Sequence, residues 1–462
     1  MSGNDRQYIF HESTMSLCPD CLRPLSAKVV IRDKMVLLLK NCPEHGDMEE
    51  LLEEDALYYL KRREYDKPGT ASKTQTDRSQ GCPFDCGLCP EHDQHTCIGL
   101  IEVTNRCGLG CPVCFADSGP GGFLDLESIG KMMDFYQDAE HGQAEILQIS
   151  GGEPTEHPEI LQILKMAKEK RFKYLMLNTN GIRIAEDLAF VKELKTFTNG
   201  FEVYLQFDGF DAQANQRLRG RDLSALKERA VQNLADHEVP MTLVCTVERG
   251  LNDRELGKTI AYGIDSPWVR GINFQPLGRF GRITELPRTG ITLSGVLKRI
   301  EEQTHGMIRM DDFIPLPCNV ERIALTYLLK TKAGFLPITR TSNVKEYISI
   351  INNTFAFKVE DLLKNAGEGL LQWDCACDCI KFLKDFQRLI PKDLRLFSPT
   401  ERLHMVNEGT FRISVNAFVD PYNFDLKSMQ KECVHIITPD LKRIPFSAYN
   451  LIYRRDYERY YR

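Results

Sequence analysis
Residues 82–114 read CPFDCGLCPEHDQHTCIGLIEVTNRCGLGCPVC and carry the spacing C-x3-C-x2-C twice, as Cys82, Cys86, Cys89 and as Cys107, Cys111, Cys114. Between the two hooks lies IGLIEVT, a continuous apolar run of the kind that forms a strand buried on both faces. Three thiolates at this spacing suit three irons of a [4Fe-4S] cube, and the fourth iron decides between electron storage and substrate binding. The hook at Cys107, Cys111 and Cys114 follows the strand directly, on the loop at its C-terminal end, where strand–helix barrels place their chemistry. The hook at Cys82, Cys86 and Cys89 follows polar chain instead, and Cys97 lies near enough in sequence to add a fourth thiolate. The second hook is therefore expected to be open and catalytic. The first is expected to be a closed, electron-transferring auxiliary cluster on Cys82, Cys86, Cys89 and Cys97, with a zinc ion on the same cysteines as the alternative.

Working outward, strand-like runs alternate with helical ones: IGLIEVT, EILQIS, KYLMLNT, FEVYLQFD, PMTLVCTV and VRGINFQP are separated by segments such as PEILQILKMAKEKR and DLSALKERAVQNLADHE. This is an α/β pattern of parallel strands, and six units predict a partial barrel over residues 98–310. EILQIS runs into Gly151-Gly152-Glu153-Pro154, bare backbone beside a carboxylate, suited to close approach by an amino group. Upstream, residues 1–63 hold C-P-D-C at Cys18 to Cys21 and C-P-E-H at Cys42 to His45 around a hairpin. That predicts a small metal knuckle with Cys18, Cys21, Cys42 and His45 on one mononuclear zinc or rubredoxin-like iron. Residues 64–97 form a polar linker plus the auxiliary-cluster segment. Beyond about 310 the regularity stops, leaving a mixed C-terminal extension, 311–462, with Cys318, the run Cys375, Cys377, Cys379, and Cys433. In extended chain alternate residues share a face, so a third cluster is expected from Cys318, two or three of the run, and Cys433.

The 462 residues carry a net charge of -6, which gives no reason to expect nucleic acid as a partner. No apolar run is long enough to span a bilayer, and MSGNDRQYIFHEST lacks a signal-peptide pattern, so a cytoplasmic location is expected. In a reducing cytosol sixteen cysteines mean metal rather than disulfides.

T-N-R-C-G-L-G-C-P-V-C-F followed by S-G-G-E-P-T resembles the core of the radical S-adenosylmethionine (SAM) superfamily, and the six units match its partial (β/α)6 barrel. The resemblance implies that Cys107, Cys111 and Cys114 ligate the catalytic cluster while SAM chelates the open iron. It also implies that Gly151, Gly152 and Glu153 form the glycine-glycine-glutamate motif, the last two contacting the methionyl amine through backbone and side chain, and that Phe115 lies near the adenine. Asn180, Gln206 and Asp208, at later strand ends, become candidates for cofactor or substrate contacts, together with Asn178, Thr179, Gly181, Phe207 and Gly209. The activity so implied is release of a 5′-deoxyadenosyl radical that abstracts hydrogen from unactivated carbon, fed by a reducing donor such as flavodoxin or ferredoxin.

Over most of the chain the order of knuckle, C-P-F-D-C-G-L-C-P-E-H, T-N-R-C, Q-F-D-G, R-L-R-G-R-D-L and I-P-F-S-A-Y-N is similar to the archaeal tetraether lipid synthase family, including its pterin-dependent methylase relatives. That likeness implies carbon–carbon bond formation between lipid hydrocarbon chains, with a long-chain substrate held in an apolar tunnel; the alternative is a radical SAM methylase acting on a small or pterin-linked molecule. Arg217, Arg219 and Arg221 around Gly220 suit an anion or a solvated loop. Cys245 and His435 fit a packed core. The aromatic, basic segment YNLIYRRDYERYYR, residues 449–462, suits either peripheral membrane contact or a docked C-terminal helix.

Overall fold
The apolar alternation of residues 9–53 closes into an antiparallel sheet of β1 (Ile9–Leu17), β2 (Pro24–Arg32), β3 (Met35–Cys42) and β4 (Gly46–Glu53), paired in that order. Asp33 and Lys34 both take positive φ, 51° and 63°, in the two-residue turn between β2 and β3, the backbone twist that tight hairpins need. This computed structural model describes residues 7–70, 72–283, 289–331, 334–340, 344–347 and 409–461. The expected cluster ligands Cys375, Cys377 and Cys379 lie outside them.

The barrel is built from β5 (Ile98–Thr104), β7 (Ile146–Gly151), β8 (Tyr174–Thr179), β9 (Phe201–Gln206), β10 (Met241–Val247) and β11 (Val269–Pro276), parallel neighbours in chain order. A two-residue pair, β6 (Val113–Cys114) with β12 (Arg282–Ile283), lies apart from this sheet. Ile101, Val103, Leu147, Ile149, Leu175, Leu177, Val203, Leu205, Ile272 and Phe274 share one core with the helices. Helix Leu126–Ala139, for example, contributes Ile129, Met132, Met133 and Tyr136, and Asp125 caps it by accepting from the Ser128 N–H at 2.7 Å. Because strand side chains alternate, Glu102, Ser150, Asn178, Gln206, Thr246 and Gln275 turn to the inner face. The sequence-based expectation of a partial six-unit strand–helix barrel with a small N-terminal knuckle holds.

The boundary placed near residue 310 is not where the sheet ends. Later segments β13 (Ile314–Pro315), β14 (Ile323–Thr331), β15 (Gly334–Pro337), β16 (Thr410–Asn416), β17 (Val434–Ile437) and β18 (Arg443–Pro445) extend it at both edges. β16 pairs parallel with β11, and β17 pairs parallel with β5. Nor is the linker free chain: the buried Arg443 guanidinium donates to the Lys73 carbonyl at 2.6 Å and the Ser72 hydroxyl at 2.8 Å.

The C-terminal turns, helical through Phe446–Tyr460, cover β5. Leu100, Tyr449 and Tyr457 share a core cluster, and Arg454 clasps the buried Glu102 carboxylate with two bonds of 2.9 and 2.8 Å. These contacts match a docked terminal helix, the second of the two expectations for this segment. Among the described residues no helix is long and apolar enough to cross a membrane.

Candidate active site and metal centres
The two halves of the expected site are stitched together through backbone. Gly152 N–H donates to Thr104 O at 2.7 Å and Glu153 N–H to Arg106 O at 2.8 Å, so the loop after β7 lies directly on the start of the hook after β5. Both glycines are required by that approach: a Cβ at Gly151 would stand 2.1 Å from Thr104 O, and one at Gly152 2.2 Å from Arg106 O. The close approach read from this pair is thus first to the hook's own backbone. Arg282 fixes the far side, donating to Cys111 O at 2.9 Å and Ser118 O at 2.6 Å. Burial pushes the Cys107 thiol up to about 12 and raises that of Cys111. Three thiols on one loop, with a fourth position left free of a cysteine, are a donor set that an iron–sulfur cluster can take.

Glu153 is buried. Its Oε1 accepts from Thr155 N–H at 3.0 Å and from the Thr155 and Thr179 hydroxyls at 2.6 Å each, while Oε2 accepts from Asn180 N–H at 2.7 Å. Burial raises its pKa and these donors oppose the rise. A cavity of about 380 Å³ opens beside it, lined by Gly108, Leu109, Glu153, Asn180, Arg183 and Arg221 among others. On the other flank Phe115 stands in an aromatic group, its ring centroid 5.0 Å from Phe280, 4.9 Å from Phe418 and 6.3 Å from Phe446.

Gln206 and Asp208 are joined to each other and to residues of differing legibility. Asp208 holds Arg219 in a two-pronged pair, Nε to Oδ2 at 2.6 Å and Nη2 to Oδ1 at 2.9 Å, and accepts from Thr246 N–H at 3.0 Å. Its carboxylate is therefore spent on holding that arginine. Arg217 lies 3.6 Å from Glu248, and Arg221 lines the cavity. Lys227 was not anticipated at all: its ammonium bonds Asn180 O and Gln206 Oε1, and burial lowers its pKa to about 7.

The four knuckle side chains come together at one point. Cys18, Cys21, Cys42 and His45 converge within 4.8 Å, with Cys21 Sγ to Cys42 Sγ at 3.9 Å and His45 Nδ1 at 3.4 and 3.5 Å from Cys18 and Cys42. A tetrahedral ion with ordinary zinc bond lengths needs edges of about 3.8 Å between sulfurs and about 3.5 Å between sulfur and nitrogen, so the four side chains fit one ion.

Cys97 corrects the reading of the first hook. Its thiol meets Cys318 and Cys433, all three buried and within 4.8 Å of one another. The reason is strand pairing: Asp93 N–H bonds Gln430 O at 2.8 Å and Cys97 N–H bonds Cys433 O at 2.9 Å, which carries Cys97 into the N-terminal end of the barrel among Ile98, Ile146, Leu316 and Ile323. Cys82, Cys86 and Cys89 stay together near Met429 and Pro445, tied to the C-terminal turns by Tyr453, whose hydroxyl donates to Pro83 O and accepts from Cys86 N–H, both at 3.0 Å. Cys245 is core, and His435 is buried against Thr96 and His92.

A model of the radical SAM superfamily matches residues 101–263, and one of the HMPTM N-terminal zinc ribbon domain matches residues 10–54. The chain is 33% identical over 486 residues to 7,8-dihydro-6-hydroxymethylpterin dimethyltransferase of Methanocaldococcus jannaschii, across 97% of this chain and 95% of that one. The chain belongs to that radical SAM family. The ribbon and the open hook thereby acquire a common context, and the radical SAM core implies a [4Fe-4S] cluster and SAM. This radical SAM protein is also 31% identical to mycofactocin maturase MftC of Mycobacterium tuberculosis over 152 residues, 33% of this chain and 36% of that one. Streptococcus suis SuiB bound to precursor peptide SuiA gives a TM-score of 0.39 at 13% identity, covering 63% of this chain and 69% of that one.

Proposed function
We propose that the chain is a radical SAM methyltransferase whose substrate is a small, hydrogen-bonding heteroaromatic molecule of the pterin class. The observation that carries this reading is the inner wall of the barrel below the hook. Asn178 donates to the Ser150 hydroxyl at 3.0 Å, Asn273 and Gln275 both address the Tyr204 hydroxyl, and the amide oxygens of Asn273 and Asn416 are buried without a partner. Buried amide oxygens without donors cost free energy that a ring N–H or amino group would recover. An alkyl chain offers no such group. The relative named above, a pterin dimethyltransferase, supports the same choice.

With a cluster on Cys107, Cys111 and Cys114, SAM would supply the 5′-deoxyadenosyl radical for hydrogen abstraction. The chain's own residues hold and shield. Glu153, fixed by Thr155, Thr179 and Asn180, presents a preorganised carboxyl beside the hook, Phe115 and its aromatic neighbours exclude water from one side, and the amides of the inner wall orient the substrate ring. Cys82, Cys86 and Cys89 are proposed to hold an auxiliary cluster accepting electrons from flavodoxin or ferredoxin. Cys97, Cys318 and Cys433 are proposed to hold a further iron–sulfur centre, and the ribbon one zinc or iron. A second reading, carbon–carbon coupling of long hydrocarbon chains, draws support from the four phenylalanines packed together beside the hook, an apolar wall.

The test is anaerobic turnover of reduced protein with methyl-labelled SAM, offered 6-hydroxymethyldihydropterin or a saturated diether lipid. Label in the pterin, with 5′-deoxyadenosine formed and both lost when Cys107, Cys111 and Cys114 become Ala, is the expected outcome. Unlabelled coupled lipid with an untouched pterin would replace this reading by the second.

A further inference from the structure
Arg219 stands at the end of helix Ala212–Arg219, and the following Gly220 takes φ 82°. That turn brings the helix end against the hook: a Cβ on Gly220 would lie 3.4 Å from Pro112 Cδ, and Leu218 packs on Val113. The Arg219 side chain is 11% exposed and the Asp208 side chain fully buried. Three bonds hold the guanidinium, two to Asp208 and one to the Thr246 hydroxyl at 2.9 Å. Gln206 and Lys227 back up Asp208 from behind. The guanidinium also lies within electrostatic reach of the Cys111 thiol, whose pKa its charge lowers against the effect of burial. Asp208 and Thr246 thus fix the cation at the helix end that packs on the hook, with its charge facing the Cys111 sulfur.

We propose that Arg219 is a redox-positioning residue: held by Asp208 against the hook, its fixed positive charge makes the cluster on Cys107, Cys111 and Cys114 easier to reduce. The proposal rests on that hook holding the catalytic cluster. A fixed positive charge beside a ligating sulfur favours the form with the extra electron, because cluster potentials depend on the net charge around the cluster. A partly buried site strengthens the effect because solvent screens it less. The two partners therefore have opposite signs. Removing the cation disfavours reduction; neutralising its carboxylate leaves more positive charge at the sulfur and favours it.

The experiment is redox-poised electron paramagnetic resonance of the full-length, cluster-loaded protein without SAM, with the Cys107, Cys111, Cys114 triple-Ala protein subtracted to remove the other centres. Poised at the wild-type midpoint, Arg219→Gln is expected to lower the reduced-to-oxidised ratio of the catalytic cluster about tenfold, which is 59 mV for one electron. Arg219→Lys should recover most of the loss, and Asp208→Asn should move the ratio the other way. An unchanged ratio in Arg219→Gln, or both variants shifting together as general disruption would make them, overturns the proposal. If Arg219→Gln does not retain its cluster, Asp208→Asn decides alone: a rise supports the proposal and no rise overturns it. Loss of the catalytic signal in the wild-type protein would instead refute the cluster assignment itself.

Discussion

Lys227 lies on the buried stripe of helix Ser224–Asp236, in register with Ala230, Val231 and Leu234. A lysine at i of an i, i+3, i+4, i+7 apolar stripe is the signal that could have found it, because a charge on that face must meet a partner inside. The two hooks, the glycine pair and Glu153 were legible because their spacing is local. Cys97 was misassigned for the converse reason: nearness in sequence says nothing of a strand pairing made with residue 433. Burial lowers the Lys227 pKa from 10.5 to about 7, so between these values the unfolded chain binds more protons and stability rises with pH. Lys227→Met should flatten that rise, read as urea midpoints at pH 7.5 and 9.5. An equal pH slope in both proteins would place the titration elsewhere.

At the scale of elements, the six central strands were readable because each is a continuous apolar run between turn signals. FRISVN in β16 and VHII in β17 were not recognised as members of the same sheet, since their partners β11 and β5 are distant in sequence and short strands carry no mark of whom they pair with. The ribbon was legible from its two knuckles, but its docking was not. Lys40, buried on β3, donates to Leu17 O at 2.7 Å within the ribbon and to Pro421 O at 2.8 Å and Tyr422 O at 3.0 Å in the loop after β16. One ammonium therefore joins ribbon to barrel. Lys40→Met strands those carbonyls and should cost about 1–3 kcal/mol, seen as a lower urea midpoint and faster proteolysis between ribbon and barrel. A midpoint equal to wild type would mean the ribbon docks by other contacts.

Across the whole molecule, the hook after β5 and the thiol group before it occupy opposite ends of one seven-residue strand, about 20 Å apart at 3.3 Å per residue. The proposed chemistry belongs to the mouth, while Cys97, Cys318 and Cys433 fill the base, where three separate chain segments meet. Replacing all three with Ala should remove about four irons per chain if they hold a cube and lower the thermal midpoint, while the catalytic signal of Cys107, Cys111 and Cys114 persists. Iron content unchanged in that variant would leave the base as packed thiols.

Those base cysteines have consequences for biogenesis. Cys318 and Cys433 are each 1% exposed and Cys97 is fully covered, and the coverage is made by strands that join only after most of the chain is in place. A metal centre there cannot be delivered to the finished barrel without reopening it, so loading and folding become one event. The ribbon, with Cys21 at its surface, faces no such order: an ion can reach its four ligands after the chain has folded.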